Sequence, residues 1–217
     1  MSIIGNVRER LIADRRADVL CRCLSDVLPQ DAHVLDVGCG DGFLATKIMN
    51  RRPDVQIKGI DVLIRPVNHI PVQEFNGEHI PLADDSVDVV MFVDVLHHTD
   101  DPLILLREAC RVARKSVVIK DHTRNGLFAN STLRFMDWVG NAHHGVALPY
   151  NYWSRSQWYE ASEQLGLEID AWNDALRLYR LPADWLFGRQ LHFVTRLNLS
   201  LNSNVATIDS QATENVE

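Results

Sequence analysis

Residues 33–43 read HVLDVGCGDGF, an alternating apolar run that carries one acid, Asp36, and leads directly into Gly38, Gly40 and Gly42. Glycine costs roughly 0.5–1 kcal/mol relative to alanine inside regular structure, so such a cluster marks a place where backbone must approach something a side chain would keep away. A second acid, Asp61 in GID, closes the next apolar run. A carboxylate there can accept from both hydroxyls of an adenosine ribose. The glycine spacing is G-x-G-x-G, with Phe43 where a dinucleotide fingerprint has its third glycine. The expected ligand contains an adenosine and need not contain a pyrophosphate.

Histidines form the second chemical group. Of nine in the chain, His97-His98, His122 and His143-His144 follow the places where apolar runs end or break. An imidazole titrates near neutrality, which suits it to take a proton from an oxygen or acidic carbon. His143-His144 lies in NAHHGVALPYNYW, whose aromatic residues Tyr150, Tyr152 and Trp153 are those of a lid over an acceptor pocket. The pair can equally be a polar surface turn or, less readily, a metal site. His97 either acts in catalysis or braces a loop. Trp138 and Trp153 serve packing or substrate stacking.

These residues need elements to hold them. Ala13, Ala17, Leu20, Leu24 and Val27 recur at three- and four-residue steps, predicting an amphipathic helix over 7–28 stopped by Pro29, with Arg15, Arg16, Arg22 and Asp26 on a solvated face. Strands are expected at 34–37, 55–60, 72–75, 87–93 and 116–120. Helices are expected at 43–50 and after Asp100-Asp101-Pro102, where proline suits the first helical position. LRFMDWVGN reads as a helix turning Phe135, Met136 and Trp138 to the pocket or core, and 154–165 as another, capped by Ser154 or Ser156. Final strands are expected at 167–172 and 191–197, the last an antiparallel addition at the sheet edge. Strands alternating with helices predict an α/β fold, a doubly wound, mostly parallel, seven-stranded sheet covered on both faces. Ligands then bind at the carboxyl ends of the strands, where Asp36 to Gly42, Asp61, Asn76 to Glu78, Asp94 and Asp121-His122 fall.

The 217 residues suffice for one core, and no linker divides them, so one domain is expected over 1–199 with a lid-like insertion at about 123–153 and a mobile polar tail over 200–217. A net charge of −7 offers no general attraction for a polyanion, so nucleic acid is not the expected partner. No apolar run is long enough for a membrane span and no secretory leader is present, which makes the cytoplasm the expected location. Cys21, Cys23, Cys39 and Cys110 form no CxxC pair and are expected to be reduced; no metal is expected.

VLDVGCGDG, the strand-end Asp61 and IPLADDSVDVVMFVDVLHHTDDP together resemble the class I S-adenosylmethionine-dependent methyltransferases, and within them the small-molecule group that includes quinone-biosynthesis C-methyltransferases. The similarity covers about residues 30–121. It implies a Rossmann-like fold with S-adenosyl-L-methionine as cofactor. The backbone of Gly38, Cys39 and Gly40 would meet the methionine part, with Asp36 helping to hold its ammonium; the alternative role for Asp36 is a cap on the next helix. Asp61, followed by Val62, would take the ribose. Asn76, Gly77 and Glu78 would border the adenine, where the family often has an acid followed by alanine. Asp94 and His97 would close the methionine side. His143, His144 and His122 are the candidate base or acceptor contacts.

Methyl transfer from a sulfonium is an in-line displacement, so such a protein mainly aligns reactants and excludes water. The expected acceptor is a small or lipid-like metabolite attacked at oxygen or carbon. Asp94-Val95-Leu96-His97 lacks the Asn/Asp-Pro-Pro-aromatic motif of enzymes that methylate exocyclic amines of bases. Two alternatives stand beside this reading: an NAD-dependent oxidoreductase, disfavoured by Phe43 and by the lack of a Tyr-x-x-x-Lys pair, and a catalytically silent methyltransferase-like binding subunit.

Overall fold

The computed structural model describes residues 3–141, 149–188 and 190–200, with side chains from residue 14 onward except at 139–141. His143 and His144, and the expected tail beyond residue 200, lie outside the described residues. The elements are α1 (Ile3–Val27), β1 (His33–Val37), α2 (Phe43–Arg51), β2 (Gln56–Asp61), β3 (Val72–Glu74), β4 (Val87–Val93), α3 (Pro102–Val112), β5 (Ala113–His122), α4 (Ala129–Asn141), α5 (Arg155–Gln164), β6 (Leu167–Asn173) and β7 (His192–Leu199). They form a seven-stranded sheet in the order β3-β2-β1-β4-β5-β7-β6. Strands β1 to β5 pair parallel, and β7 runs antiparallel to both β5 and β6.

Two layers pack against this sheet. One face carries Val34, Val89, Met91 and Val194 against Leu20 and Leu24 of α1 and Ala45 and Ile48 of α2. On the other, Leu35, Val90, Phe92, Ile119 and Phe193 meet Leu105, Leu106 and Ala109 of α3 and Trp158 of α5. The continuous apolar runs of β4 and β5 are thus those of strands buried on both sides. Helix starts follow their sequence signals. The Asp101 side chain accepts from the Leu103 amide at 2.9 Å ahead of Pro102, and Ser154 with Gln157 forms a capping box.

Two expectations are corrected. The last strand is antiparallel but not at the edge: β7 sits between β5 and β6. Burial explains the order, since β7 is enclosed along its first half while β6 alternates between covered and exposed positions, as an edge strand does. The sheet is also not helix-covered everywhere. Among the described residues no helix links β2 to β3 or β3 to β4. Polar Gln56, Lys58 and Gln73 face outward there over a cavity of about 380 Å³ floored by Leu35, Ile60 and Leu82.

Candidate active site

All of the described candidate residues lie at or just beyond the carboxyl ends of β1 to β5. The chain leaves β1 through Gly38, whose φ of +72° is in the left-handed region and whose missing Cβ would lie 2.5 Å from Val95 Cγ2. Gly40, at φ +60°, has open space where its Cβ would be. One glycine therefore lets the turn fit beneath the β4 loop, and the other leaves bare backbone facing the cleft. Cys39 packs beside Gly59, and burial pushes its thiol up to about 12, so it contributes backbone and bulk, not a thiolate.

Asp61 secures this turn: its Oδ2 accepts from the Gly40 amide at 2.8 Å and its Oδ1 from the Leu63 amide at 2.9 Å. Each oxygen keeps a second acceptor direction for a ribose hydroxyl. Asp36 is different. It is 3% exposed, its Oδ1 has no hydrogen-bond partner, and burial together with the Asp61 charge raises its carboxyl to about 8. The cap on α2 is Gly42, with no side-chain cap bond, so Asp36 does not serve that helix. An orphaned, buried carboxylate oxygen beside open glycine backbone suits a cationic ligand, which is the test that the ammonium of S-adenosylmethionine has to pass here. Beyond β2, Val62 is exposed and stands 3.2 Å from where a Cβ on Gly77 would be. Asn76 Oδ1 accepts from the amides of Glu78 and His79 at 3.0 and 2.8 Å, which folds this loop beside Val62.

Across β4 and β5 the polar groups pair with one another. Asp94, at φ +58°, is gripped by Arg16 of α1 at 2.6 Å and by the Lys120 ammonium. Burial opposes its ionisation, but these two cations hold it well below the usual carboxylate range. Asp121 is fully buried; it accepts from His97 Nδ1 at 2.6 Å, the Leu96 amide at 3.1 Å and the His122 amide at 2.8 Å. Burial alone would lower His97, yet the Asp121 carboxylate raises it. His122 and His192 move the other way: burial and then the Lys120 charge push His122 down to about 4 and His192 well below its usual value. The insertion reaches this cluster. Tyr152 stacks on His97 with ring centroids 5.5 Å apart and donates to Asp137, whose Oδ2 lies 3.5 Å from His97 Nε2.

Arg16, Lys120, Asp137 and His192 are the members that sequence reasoning missed. Arg16 was placed on the solvated face of α1, and instead it crosses to Asp94. The available signal was Lys120 itself, a cation inside an otherwise apolar strand, which demanded a buried partner. Phe135 and Trp138, expected to face the pocket or core, are 53% and 60% exposed. No helix among the described residues is long and apolar enough to cross a membrane.

The chain resembles known proteins over this region. A malonyl-[acyl-carrier protein] O-methyltransferase from Dechloromonas aromatica is 33% identical over 106 residues, covering 46% of this chain and 40% of that protein. A tRNA U34 carboxymethyltransferase from Nautilia profundicola is 28% identical over 91 residues, covering 36% of this chain and 30% of its own length. The matches thus span well under half the length of these curated relatives. Among solved structures, a putative methyltransferase in complex with the Haloferax volcanii Trm112 methyltransferase activator superposes with a TM-score of 0.65 at 16% identity, over 90% of this chain and 94% of that one. None of these is an oxidoreductase. A family model described as a methyltransferase domain matches residues 7–171, from α1 with Arg16 through every strand-end residue of the site. The chain belongs to that methyltransferase domain family, whose methyl donor is S-adenosylmethionine.

Proposed function

We propose that this protein transfers a methyl group from S-adenosylmethionine to oxygen or carbon of a small or lipid-like metabolite. The observation that carries the reading is the orphaned Asp36 carboxylate beside the open Gly40 turn and Asp61, on the same sheet end as the His97–Asp121 pair. S-adenosylmethionine supplies an activated methyl group on cationic sulfur. The protein's part is to bind and orient. Asp36 and Asp61 favour a cation and a diol on the β1–β2 side, and the Gly38–Gly40 backbone shapes the floor.

His97 is the strongest ring base of the cluster, because Asp121 fixes its Nδ1 proton and leaves Nε2 directed at Asp137 and Tyr152 on the insertion. His122, neutral at physiological pH, packs edge-on against His97 at 4.6 Å and positions it. A small acceptor rather than nucleic acid is supported by the chain's net charge of −7 and by a cluster whose cations are already matched by carboxylates. Its unpaired cysteines accord with action in the cytoplasm.

The test is a melting comparison with S-adenosylhomocysteine and with NAD. A ligand at a hundred times its dissociation constant stabilises by about 2.7 kcal/mol, which at this size raises the melting temperature by roughly 5–10 °C. A shift with S-adenosylhomocysteine alone is expected. A shift with NAD alone would overturn the reading. Binding without methyl transfer to any of a panel of hydroxylated and acidic-carbon metabolites would point to the silent binding subunit.

A further inference from the structure

We infer that the surface formed by α4 and the loop leading into β7 docks on an anionic lipid bilayer. Helix α4 has two apolar stripes. Ala129 and Leu133 face inward onto Leu191 and Tyr152. Phe135 and Trp138, one turn apart on another side, are 53% and 60% exposed, and Phe128, just before the helix at φ +60°, is 70% exposed, so packing covers little of these side chains. The loop into β7 adds Leu181 and Trp185, at 81% and 71% exposed, and the turn before α4 adds Leu127.

The two segments are neighbours. Thr123 donates its amide to the Leu191 carbonyl and its hydroxyl to the Gln190 carbonyl, both at 3.0 Å, where the end of β5 meets the start of β7. Both segments lie at the carboxyl end of β5, on the side of the sheet that carries the active site.

Charge selects the occupant. The protein as a whole carries −7, yet the exposed ionic side chains described on these two segments are Arg134, Arg177 and Arg180, with Arg124 in the turn before α4. Their acids are already engaged, Asp137 with Tyr152, Asp184 with the Tyr179 amide and Asp174 with Arg155. Separate tryptophan, phenylalanine and leucine side chains projecting from turns and a helix side, ringed by arginine, match the aromatic and basic composition that settles at a bilayer interface. An apolar protein partner would be offered a groove. The acyl boundary accepts the aromatic side chains, and anionic headgroups accept the arginines. The inference is independent of the chemistry at the site.

Co-sedimentation with vesicles tests it, comparing phosphatidylcholine alone with phosphatidylcholine containing about one third phosphatidylglycerol. The full chain should partition onto the anionic vesicles and come off with salt. Trp138→Ser with Trp185→Ser should lower partitioning by about tenfold or more. Arg134→Gln and Arg180→Gln should each lower it about fivefold. All three variants should keep the wild-type melting temperature without lipid and the wild-type affinity for S-adenosylhomocysteine, which separates loss of docking from loss of fold. Equal partitioning onto neutral vesicles, or none onto anionic ones, would overturn the inference. So would a concentration-dependent dimer abolished by the tryptophan changes, which would give the face to a second copy of the chain.

Discussion

Replacing Asp36 with asparagine should make the unliganded protein more stable, and increasingly so as pH rises. The buried carboxyl has been moved from 3.8 to about 8, by burial first and the Asp61 charge second. A raised acid binds its proton more tightly in the folded state, so its contribution to stability is lost as pH rises from the unfolded value towards the folded one. One proton over that interval costs about 1.4 kcal/mol per pH unit. At pH 7 the wild type therefore gives up about 4 kcal/mol relative to a neutral isostere. The amide and the protonated carboxyl leave similar polar atoms uncovered, so that cost cancels in the comparison. At 2–4 °C per kcal/mol the variant should melt roughly 10 °C higher at pH 7, with the gap closing towards pH 4. Calorimetric melting of both proteins between pH 4 and 9 measures this directly. The same substitution should weaken S-adenosylhomocysteine binding, because the ligand ammonium loses its charged partner. Wild-type affinity should rise with pH up to about 8, whereas the variant's should not. Parallel melting curves for the two proteins would refute the reasoning, since Asp36 would then already be satisfied in the unliganded fold.

Other substitutions separate the two halves of the site. Asp61→Ala should weaken S-adenosylhomocysteine binding by about 1–3 kcal/mol in titration calorimetry, the usual worth of a charge-assisted hydrogen bond. Lys120→Met should lower stability by about 3 kcal/mol in denaturant melts, because Asp94 stays buried with Arg16 alone. His97→Asn should reduce kcat by a hundredfold or more while leaving S-adenosylhomocysteine affinity near wild type; equal loss of both would make His97 a brace for the cofactor loop. His122, pushed down to about 4, is neutral in the fold but protonates readily once unfolded, so stability should fall by up to about 3 kcal/mol as pH drops from 6.5 to 4. His122→Asn should remove that part of the acid limb.

Local signals carried most of the fold. The strand-end glycines, Pro102 behind Asp101 and the Ser154 box each bias a few neighbouring residues, and each took the predicted form. What failed needed distant information. The position of β7 inside the sheet depends on which strand is better enclosed, a property of packing that alternation within 191–197 does not encode. Asp36, Gly40 and Asp61 could be placed because one short turn and the next strand end bring them together. The Asp94 cluster could not: Arg16 comes from 78 positions earlier and His192 from 72 positions after Lys120. Charge on α1 looks alike whether it meets water or a buried carboxylate.

The two halves of the cleft also differ in what they still need. On the β4–β5 side, Asp94 is met by Arg16 and Lys120, and Asp121 by His97 and two amides. A buried charge set that satisfies itself has little to gain from a charged ligand and would lose bonds in admitting one. On the β1 side the Asp36 oxygen is left without a partner, an arrangement that costs stability until a cation arrives. The carboxylates are thus matched by cations where the acceptor would sit, while one is left unmatched where the donor would bind. Recognition of the donor should therefore depend steeply on pH and charge. Selection of the acceptor should rest on shape and on the ring faces of His97 and Tyr152, as expected for an acceptor with a large apolar part.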